Sequence, residues 1–191
     1  WKQLQKEYKD KYDMSWIGQY GFNNTYALII REEAAKKYNL TKTSQLADVS
    51  DELVFGGNSD YIERKDGFHL LCDTYGLKFK DVKDIDIGLK YEALKKGDID
   101  VSNGFTTDAQ LSNDNVRVLE DDKHLQVNYF CSNVIRNDTL KSHPGLEEAI
   151  MKLDNSITDK EMASLNYKVE VEGKEDVQVA KDYLTEKGII K

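Results

Sequence analysis

The feature that most constrains this chain is an apolar run that begins directly after a polar turn. Ala27, Leu28, Ile29 and Ile30 follow one another without a polar residue between them. A short apolar run bounded by turn residues predicts a buried strand over 25–31. The preceding Phe-Asn-Asn-Thr turn places amides at the point where that strand begins. Amide and phenol groups at such a junction can orient a small ligand without reacting with it.

Strand and helix patterns alternate along most of the chain, and Pro144 is its single proline. Strands separated by helices of this length predict βαβ units and a mostly parallel sheet in an α/β fold. Ligands in such sheets bind outside the carboxyl ends of the strands. Polar clusters at 22–26, 56–60 and 102–108 all lie at predicted strand ends, which favours one shared site. We predict strands at 25–31, 52–57, 83–87, 99–101, 116–119 and 125–136, and helices at 2–12, 32–38, 66–75, 90–96, 145–153, 159–166 and 175–187.

The composition excludes several classes of partner and site. A net charge of -8 argues against nucleic acid and anionic membranes, because both reward a basic surface. Cys72 and Cys131 have no metal-ligand spacing and are expected to be small buried thiols. The histidines are scattered, and no group of residues combines an acid, a base and a nucleophile. We therefore expect no catalytic residue, no metal and no cofactor.

Residues in four segments are candidates for ligand contact, and each also has a purely structural interpretation. Asn24, Thr25 and Tyr26 are either a turn followed by a core tyrosine or the wall of a ligand site. Arg64 is either a solvated charge or a bidentate partner for a carboxylate. Phe105 is a core ring unless it is exposed, in which case its face would attract a quaternary ammonium group, as would that of Tyr129. Asp108 is predicted to cap a helix.

Several motifs, taken in order, carry a resemblance to a known family. They are GFNNTYAL at 21–28, YIERKDGF at 61–68, ALKKGDIDV at 93–101, GFTTD at 104–108, DDKH at 121–124 and LNYKVEVEGK at 165–174. The chain resembles the substrate-binding proteins of glycine betaine/carnitine/choline ABC transporters over nearly all its length. The resemblance implies a type II periplasmic-binding-protein fold, whose two lobes close by a hinge over the solute.

The resemblance also assigns domains and residues. It implies a complete second lobe at 24–128, with 1–23 and 129–191 as the remaining part of the first lobe, so that the chain is expected to be N-terminally truncated. Asn24, Thr25 and Tyr26 would line the site, and Arg64 would bind a carboxylate. Phe105 and Tyr129 would belong to an aromatic cage, with Phe105 standing where many members have tyrosine. Without the missing part, the cage is expected to bind its solute poorly.

The expected function is solute capture for an ABC importer, without covalent chemistry. The solute would be a quaternary amine: glycine betaine, carnitine, choline, proline betaine or ergothioneine. The partner would be an ABC permease, either separate or fused in the same polypeptide. The location would be the extracellular face of the bacterial cell membrane, through a lipid anchor or that fusion. A ligand-sensing receptor domain and, less favoured, an enzyme that reuses the fold are the alternatives.

Overall fold

The computed structural model describes residues 1–112 and 115–191, which divide into two compact units. The central unit is Thr25–Val127, and the terminal unit combines Trp1–Asn24 with Asn128–Lys191. None of the described helices has both the length and the apolar composition needed to cross a membrane. The elements are α1 (Lys2–Tyr12), β1 (Met14–Ile17), β2 (Tyr26–Arg31), α2 (Glu32–Lys37), β3 (Val54–Gly57), α3 (Ser59–Glu63), α4 (Phe68–Tyr75), β4 (Asp81–Asp84), α5 (Lys90–Lys96), β5 (Val101–Phe105), β6 (Val116–Leu119), β7 (Asn133–Arg136), α6 (Asn137–Ser142), α7 (Leu146–Met151), α8 (Asp159–Glu170) and α9 (Asp176–Glu186).

The central unit is built on a five-stranded sheet with strand order β4-β3-β5-β2-β6. β3 runs parallel to β4 and β5, whereas β2 runs antiparallel to both of its neighbours, β5 and β6. The sheet is therefore mixed: four of its five strands run in the same direction, in agreement with the predicted mostly parallel sheet, and β2 runs in the opposite direction. The strand order was not predicted, because β2 lies between β5 and β6 and only β3 and β4 are consecutive neighbours.

Two apolar layers cover the faces of this sheet. Because side chains alternate along a strand, Leu28 and Ile30 pack into one layer, and Ala27 and Ile29 into the other. Phe55 and Val101 join the first layer, where Tyr61 from α3 and Phe68 from α4 cover them. Leu94 and Ile99 complete the second layer. The predicted strand at 25–31 is thus confirmed as β2, whose apolar side chains are buried on both faces of the sheet.

The terminal unit contains a two-stranded antiparallel sheet of β1 and β7, with helices α1 and α6–α9. The Trp16 ring of β1 packs edge-on against Trp1 and Tyr8 of the first helical segment, with ring centroids 5.8 and 5.2 Å apart. Helix α8 begins with a capping box, in which Thr158 and Glu161 satisfy each other's backbone N–H groups. The buried apolar side chains of this unit are Ile17, Phe22, Ala163, Val179 and Tyr183.

One predicted strand is much shorter than expected. The prediction placed a strand over 125–136, but only Asn133–Arg136 is regular, and Phe130 makes an isolated bridge to Asn23. The carboxylate of Asp121 accepts the backbone N–H groups of Leu125 and Gln126 and folds this segment back on itself. Those N–H groups are therefore not available to a strand partner.

Candidate ligand-binding site

The candidate site begins with two aromatic side chains that face each other across β2 and β5. The register places Tyr26, the first residue of β2, directly opposite Phe105, the last residue of β5. Their rings stack with centroids 4.9 Å apart and planes inclined by 23°. Phe105 keeps 37% of its surface exposed, although the four preceding residues of β5 are buried. Part of Phe105 is therefore accessible at the carboxyl end of β5.

Tyr61 of α3 completes the group, which we call the aromatic cluster (Tyr26, Tyr61 and Phe105). Its ring centroid lies 5.3 Å from that of Tyr26, and 4% of its surface is exposed. Burial, with a smaller contribution from Tyr26, raises the pKa of the Tyr61 phenol above its ordinary value. The buried Tyr61 ring therefore packs against Tyr26, which in turn stacks on Phe105. Its place in the Tyr-Ile-Glu-Arg segment was visible in the sequence, but its contact with Tyr26 was not.

Arg64 follows α3 and is held by a neighbouring carboxylate. Its Nε and Nη2 atoms donate to the two oxygens of Asp66 over 2.9 and 2.7 Å, and Asp60 lies 3.9 Å from Nη1. This hydrogen bonding to Asp66, with weaker contributions that include Tyr26, raises the pKa of the guanidinium. A solute carboxylate would have to share the guanidinium with Asp66.

Thr25 makes structural contacts within the central unit. Its hydroxyl donates to the carbonyl of Val127 over 2.6 Å, and its backbone N–H donates to the hydroxyl of Thr106 over 3.2 Å. The side chain is 9% exposed. The bond to Val127 joins the first and last residues of the central unit, a role that the sequence did not predict.

Asn24 and Tyr129 belong to the terminal unit and are joined through their backbones. The Asn24 N–H donates to the Tyr129 carbonyl over 3.1 Å, and the Tyr129 N–H donates to the side chain of Asn23 over 2.6 Å. The Tyr129 side chain is 58% exposed. The structure therefore fixes the backbone of Tyr129 and leaves its ring at the surface of this unit.

Side chains that could ligate a metal ion are not clustered in the part of the chain that the structure describes. Across residues 1–112 and 115–191, no three His, Cys, Asp or Glu side chains are grouped so that they could hold a metal ion. Cys72 and Cys131 are free, partly buried thiols, and burial raises both of their pKa values. An aromatic face can bind a quaternary ammonium group, and a guanidinium can bind a carboxylate, so the two groups together offer the chemistry that a zwitterion requires.

Comparison with known families identifies the chain. A family model described as the substrate-binding domain of ABC-type glycine betaine transport systems matches residues 1–186. The chain belongs to this family. The resemblance predicted from the sequence motifs is therefore confirmed, and the family is one of transport-associated binding domains rather than of enzymes.

Curated members of this substrate-binding family are similar along almost the whole chain. The ergothioneine transport permease/ergothioneine binding protein EgtU of Helicobacter pylori is 39% identical over 97% of the chain and 34% of its own length. The carnitine transport binding protein OpuCC of Listeria monocytogenes is 36% identical over 95% of the chain and 59% of its own length. The chain thus spans between about a third and three fifths of these relatives.

Solved structures confirm the type II periplasmic-binding-protein fold. A crystal structure of a glycine betaine/carnitine/choline ABC transporter protein aligns with a TM-score of 0.91 at 38% identity, covering 97% of this chain and 68% of that one. Apo YehZ from Escherichia coli aligns with a TM-score of 0.81 at 23% identity, covering 99% of this chain and 71% of that one, a likeness of fold alone.

Proposed function

We propose that this chain captures a quaternary-ammonium solute for import by an ABC permease. The solute class is the one named for its relatives: glycine betaine, carnitine, choline and ergothioneine, with proline betaine as a further candidate. The observation that carries the proposal is the stacked pair of Tyr26 and Phe105, because it places a partly exposed aromatic ring at the carboxyl end of β5. Each aromatic face in contact with the ammonium group contributes about 0.5–2 kcal/mol.

Arg64 is the proposed partner of a solute carboxylate. Its guanidinium is already oriented by the two hydrogen bonds that it donates to Asp66, so little side-chain freedom is lost when a second carboxylate binds. Sharing with Asp66 weakens the attraction, and this favours a modest rather than a dominant contribution. Choline lacks a carboxylate and would gain nothing from Arg64.

We also propose Asn24, Thr25 and Tyr129 as solute contacts, with smaller contributions to binding than the Tyr26–Phe105 pair. Tyr129 has an exposed ring of the chemistry that a cation requires, and Asn24 lies one residue before the central unit. Thr25 supports the site through Val127 and Thr106, since its hydroxyl is already used as a donor. Substitution of Tyr129 by alanine should weaken solute binding, and substitution of Thr25 by serine should have little effect on it.

The domain assignment is also a proposal. We infer that the central unit is a complete lobe and that the terminal unit is the remaining part of the other. Two observations support this: the sheet of the terminal unit has only two strands, which rarely suffice for independent stability, and the relatives are longer than this chain. The proposed partner is a permease, either fused or separate, and the proposed location is the extracellular face of the bacterial membrane. No covalent chemistry is proposed.

The experiment that tests this function is calorimetric titration with choline, glycine betaine, carnitine, proline betaine and ergothioneine. It is performed on the 191-residue chain and on the longest natural polypeptide that contains it, with proline and glutamine as controls whose ammonium groups are not quaternary. We expect saturable heat with at least one quaternary amine in the longer protein, and weaker binding in the chain alone. Absence of heat with every quaternary amine in both proteins would overturn the proposal.

A further inference from the structure

We propose that Asp108 is a positioning residue that fixes the backbone of Phe105 and thereby sets the affinity for the cationic end of the solute. This inference rests on the proposed function of the Tyr26–Phe105 pair. The sequence predicted only that Asp108 caps a helix. In the structure it does precede a short 3-10 turn, Ala109–Ser112, but its carboxylate is engaged elsewhere.

One oxygen of Asp108 accepts three hydrogen bonds. The Phe105 backbone N–H donates over 3.1 Å, the Tyr91 hydroxyl over 2.6 Å and the Lys90 ammonium over 3.3 Å. Lys90 and Tyr91 are the first two residues of α5, and Phe105 is the last residue of β5. The carboxylate therefore ties the end of the strand to the start of a helix.

The Phe105 N–H needs this acceptor because no strand supplies one. β3 pairs with β5 only at Val101 and Ser102, so β5 extends beyond its parallel neighbour. On the side of β5 that faces β2, the next residue makes the hydrogen bond instead of Phe105. The Thr106 N–H donates to the Thr25 carbonyl over 3.0 Å. An unpaired N–H at the end of a strand lets the strand end fray, and Asp108 replaces the missing strand partner.

Burial and charge make this arrangement rigid. Lys90 is 7% exposed, and a buried ammonium requires a counter-charge, which Asp108 provides. Gly104 provides the space for it: a Cβ atom there would lie 2.9 Å from the Asp108 oxygen and 3.0 Å from the Tyr91 hydroxyl. That atom would also meet Ile29, which belongs to the apolar layer opposite the one against which Tyr26 packs.

The location separates positioning from direct contact. The Asp108 carboxylate lies beside the space that a side chain at position 104 would fill, and side chains at 104 and 105 point to opposite faces of the sheet. Asp108 is thus on the face away from the Phe105 ring. Its influence on a cation at that ring passes through the Phe105 backbone.

The first test measures this coupling without a solute. The Phe105 amide is followed by ¹H–¹⁵N NMR and hydrogen exchange in the wild-type chain, in Asp108→Asn and in the control Asp51→Asn, an exposed aspartate of the same unit. We expect an upfield shift and several-fold faster exchange of the Phe105 amide in Asp108→Asn alone. An unchanged Phe105 amide in a folded Asp108→Asn protein would overturn the positioning role.

The second test is a double-mutant cycle on solute affinity. The cycle uses the quaternary amine of the titration series that binds tightest, with Asp108→Asn made in the wild-type and Phe105→Ala backgrounds. We expect Asp108→Asn to weaken binding about tenfold in the first background and less than about twofold in the second, because the two residues act as one unit. Equal losses in both backgrounds would overturn the inference.

Two safeguards keep the outcomes distinct. Loss of the Lys90 counter-charge can prevent folding of Asp108→Asn, so Tyr91→Phe, which removes one donor and keeps the charge pair, is measured by both tests. We expect a smaller shift of the same Phe105 amide, and no shift would count against the inference. If no quaternary amine binds the wild-type protein, the proposed function fails, whereas the amide measurement still decides whether Asp108 fixes Phe105.

Discussion

Tyr26 and Phe105 are separated by 79 positions in the sequence, yet their rings stack 4.9 Å apart because β2 and β5 pair in an antiparallel register. This pairing brings the first residue of β2 next to the last residue of β5. Because β2 is antiparallel to β5, Tyr26 lies at the same end of the strands as the carboxyl ends of β3 and β5.

Removal of the Phe105 ring should weaken binding of every quaternary amine. We expect Phe105→Ala to reduce affinity about tenfold, the loss of one aromatic face, and Phe105→Tyr to retain affinity within about threefold because it keeps that face. Calorimetry measures both variants, with Tyr12→Ala on exposed helix α1 as the control. An alanine variant that binds as tightly as wild type would exclude Phe105 from the site.

Substitution of Arg64 should separate solutes by their charge. We expect Arg64→Ala to weaken glycine betaine and carnitine by about fivefold to tenfold and to leave choline almost unchanged, because only the first two carry a carboxylate. Asp66→Asn should act in the opposite direction, since it removes the carboxylate that now occupies the guanidinium. Equal losses for all three solutes in Arg64→Ala would refute the carboxylate role.

A methyl group at position 104 should destabilise the central unit. The added Cβ would lie 2.2 Å from the tip of Ile29, which is completely buried and cannot move aside freely. We expect Gly104→Ala to cost about 1–3 kcal/mol in the free energy of unfolding, measured by urea denaturation. Gly88→Ala meets only one side-chain oxygen, at 3.3 Å, and should change stability much less. Similar midpoints for the two variants would contradict this account of the strand end.

The ion pair of Glu161 and Lys187 should give the terminal unit a pH-dependent stability. Hydrogen bonding to Lys187, with help from Thr158, lowers the pKa of Glu161 from 4.5 to about 2. The native state then binds fewer protons than the unfolded chain between these values, so the stabilisation is complete above about pH 4.5 and is lost as the pH falls toward 2.

Glu161→Gln tests this effect and keeps the capping box intact, since glutamine can serve at that position. Both partners are about one third exposed, so solvent screening limits the expected loss to about 0.5–1 kcal/mol at pH 7. Denaturation of wild type and variant is compared at pH 7, 4 and 2. The difference should shrink as the pH falls, and a constant difference would assign the effect to the cap instead of the charge.

Local patterns were sufficient to predict most helices and the buried strand β2. Helix α5 was predicted at its observed bounds because Gly97, at φ +78°, provides the left-handed residue that ends it. β1 was missed because its four residues form a strand only by pairing with β7, more than 100 residues away. The order and direction of the strands depend on such distant pairings, which no local pattern encodes.

The candidate site was predictable in its residue types but not in its contacts. The sequence patterns indicate Tyr26 and Phe105 separately as ligand contacts, and only the strand register shows that they form one pair. The ion pair between Arg64 and Asp66, two residues apart, could have been anticipated from the sequence. The bond from Phe105 to Asp108 could not, because it depends on β3 ending before β5 does.

The Tyr26–Phe105 pair is proposed to bind a solute through its positive charge. This is tested by comparing choline with 3,3-dimethylbutan-1-ol, a neutral analogue of the same shape in which carbon replaces the quaternary nitrogen. The comparison is made by calorimetry on the longest natural polypeptide that contains this chain, and again in Phe105→Ala. We predict that the charged solute binds at least about tenfold more tightly and that Phe105→Ala reduces this preference. Equal affinity for the two compounds would show that the Tyr26–Phe105 pair does not bind the solute through its positive charge.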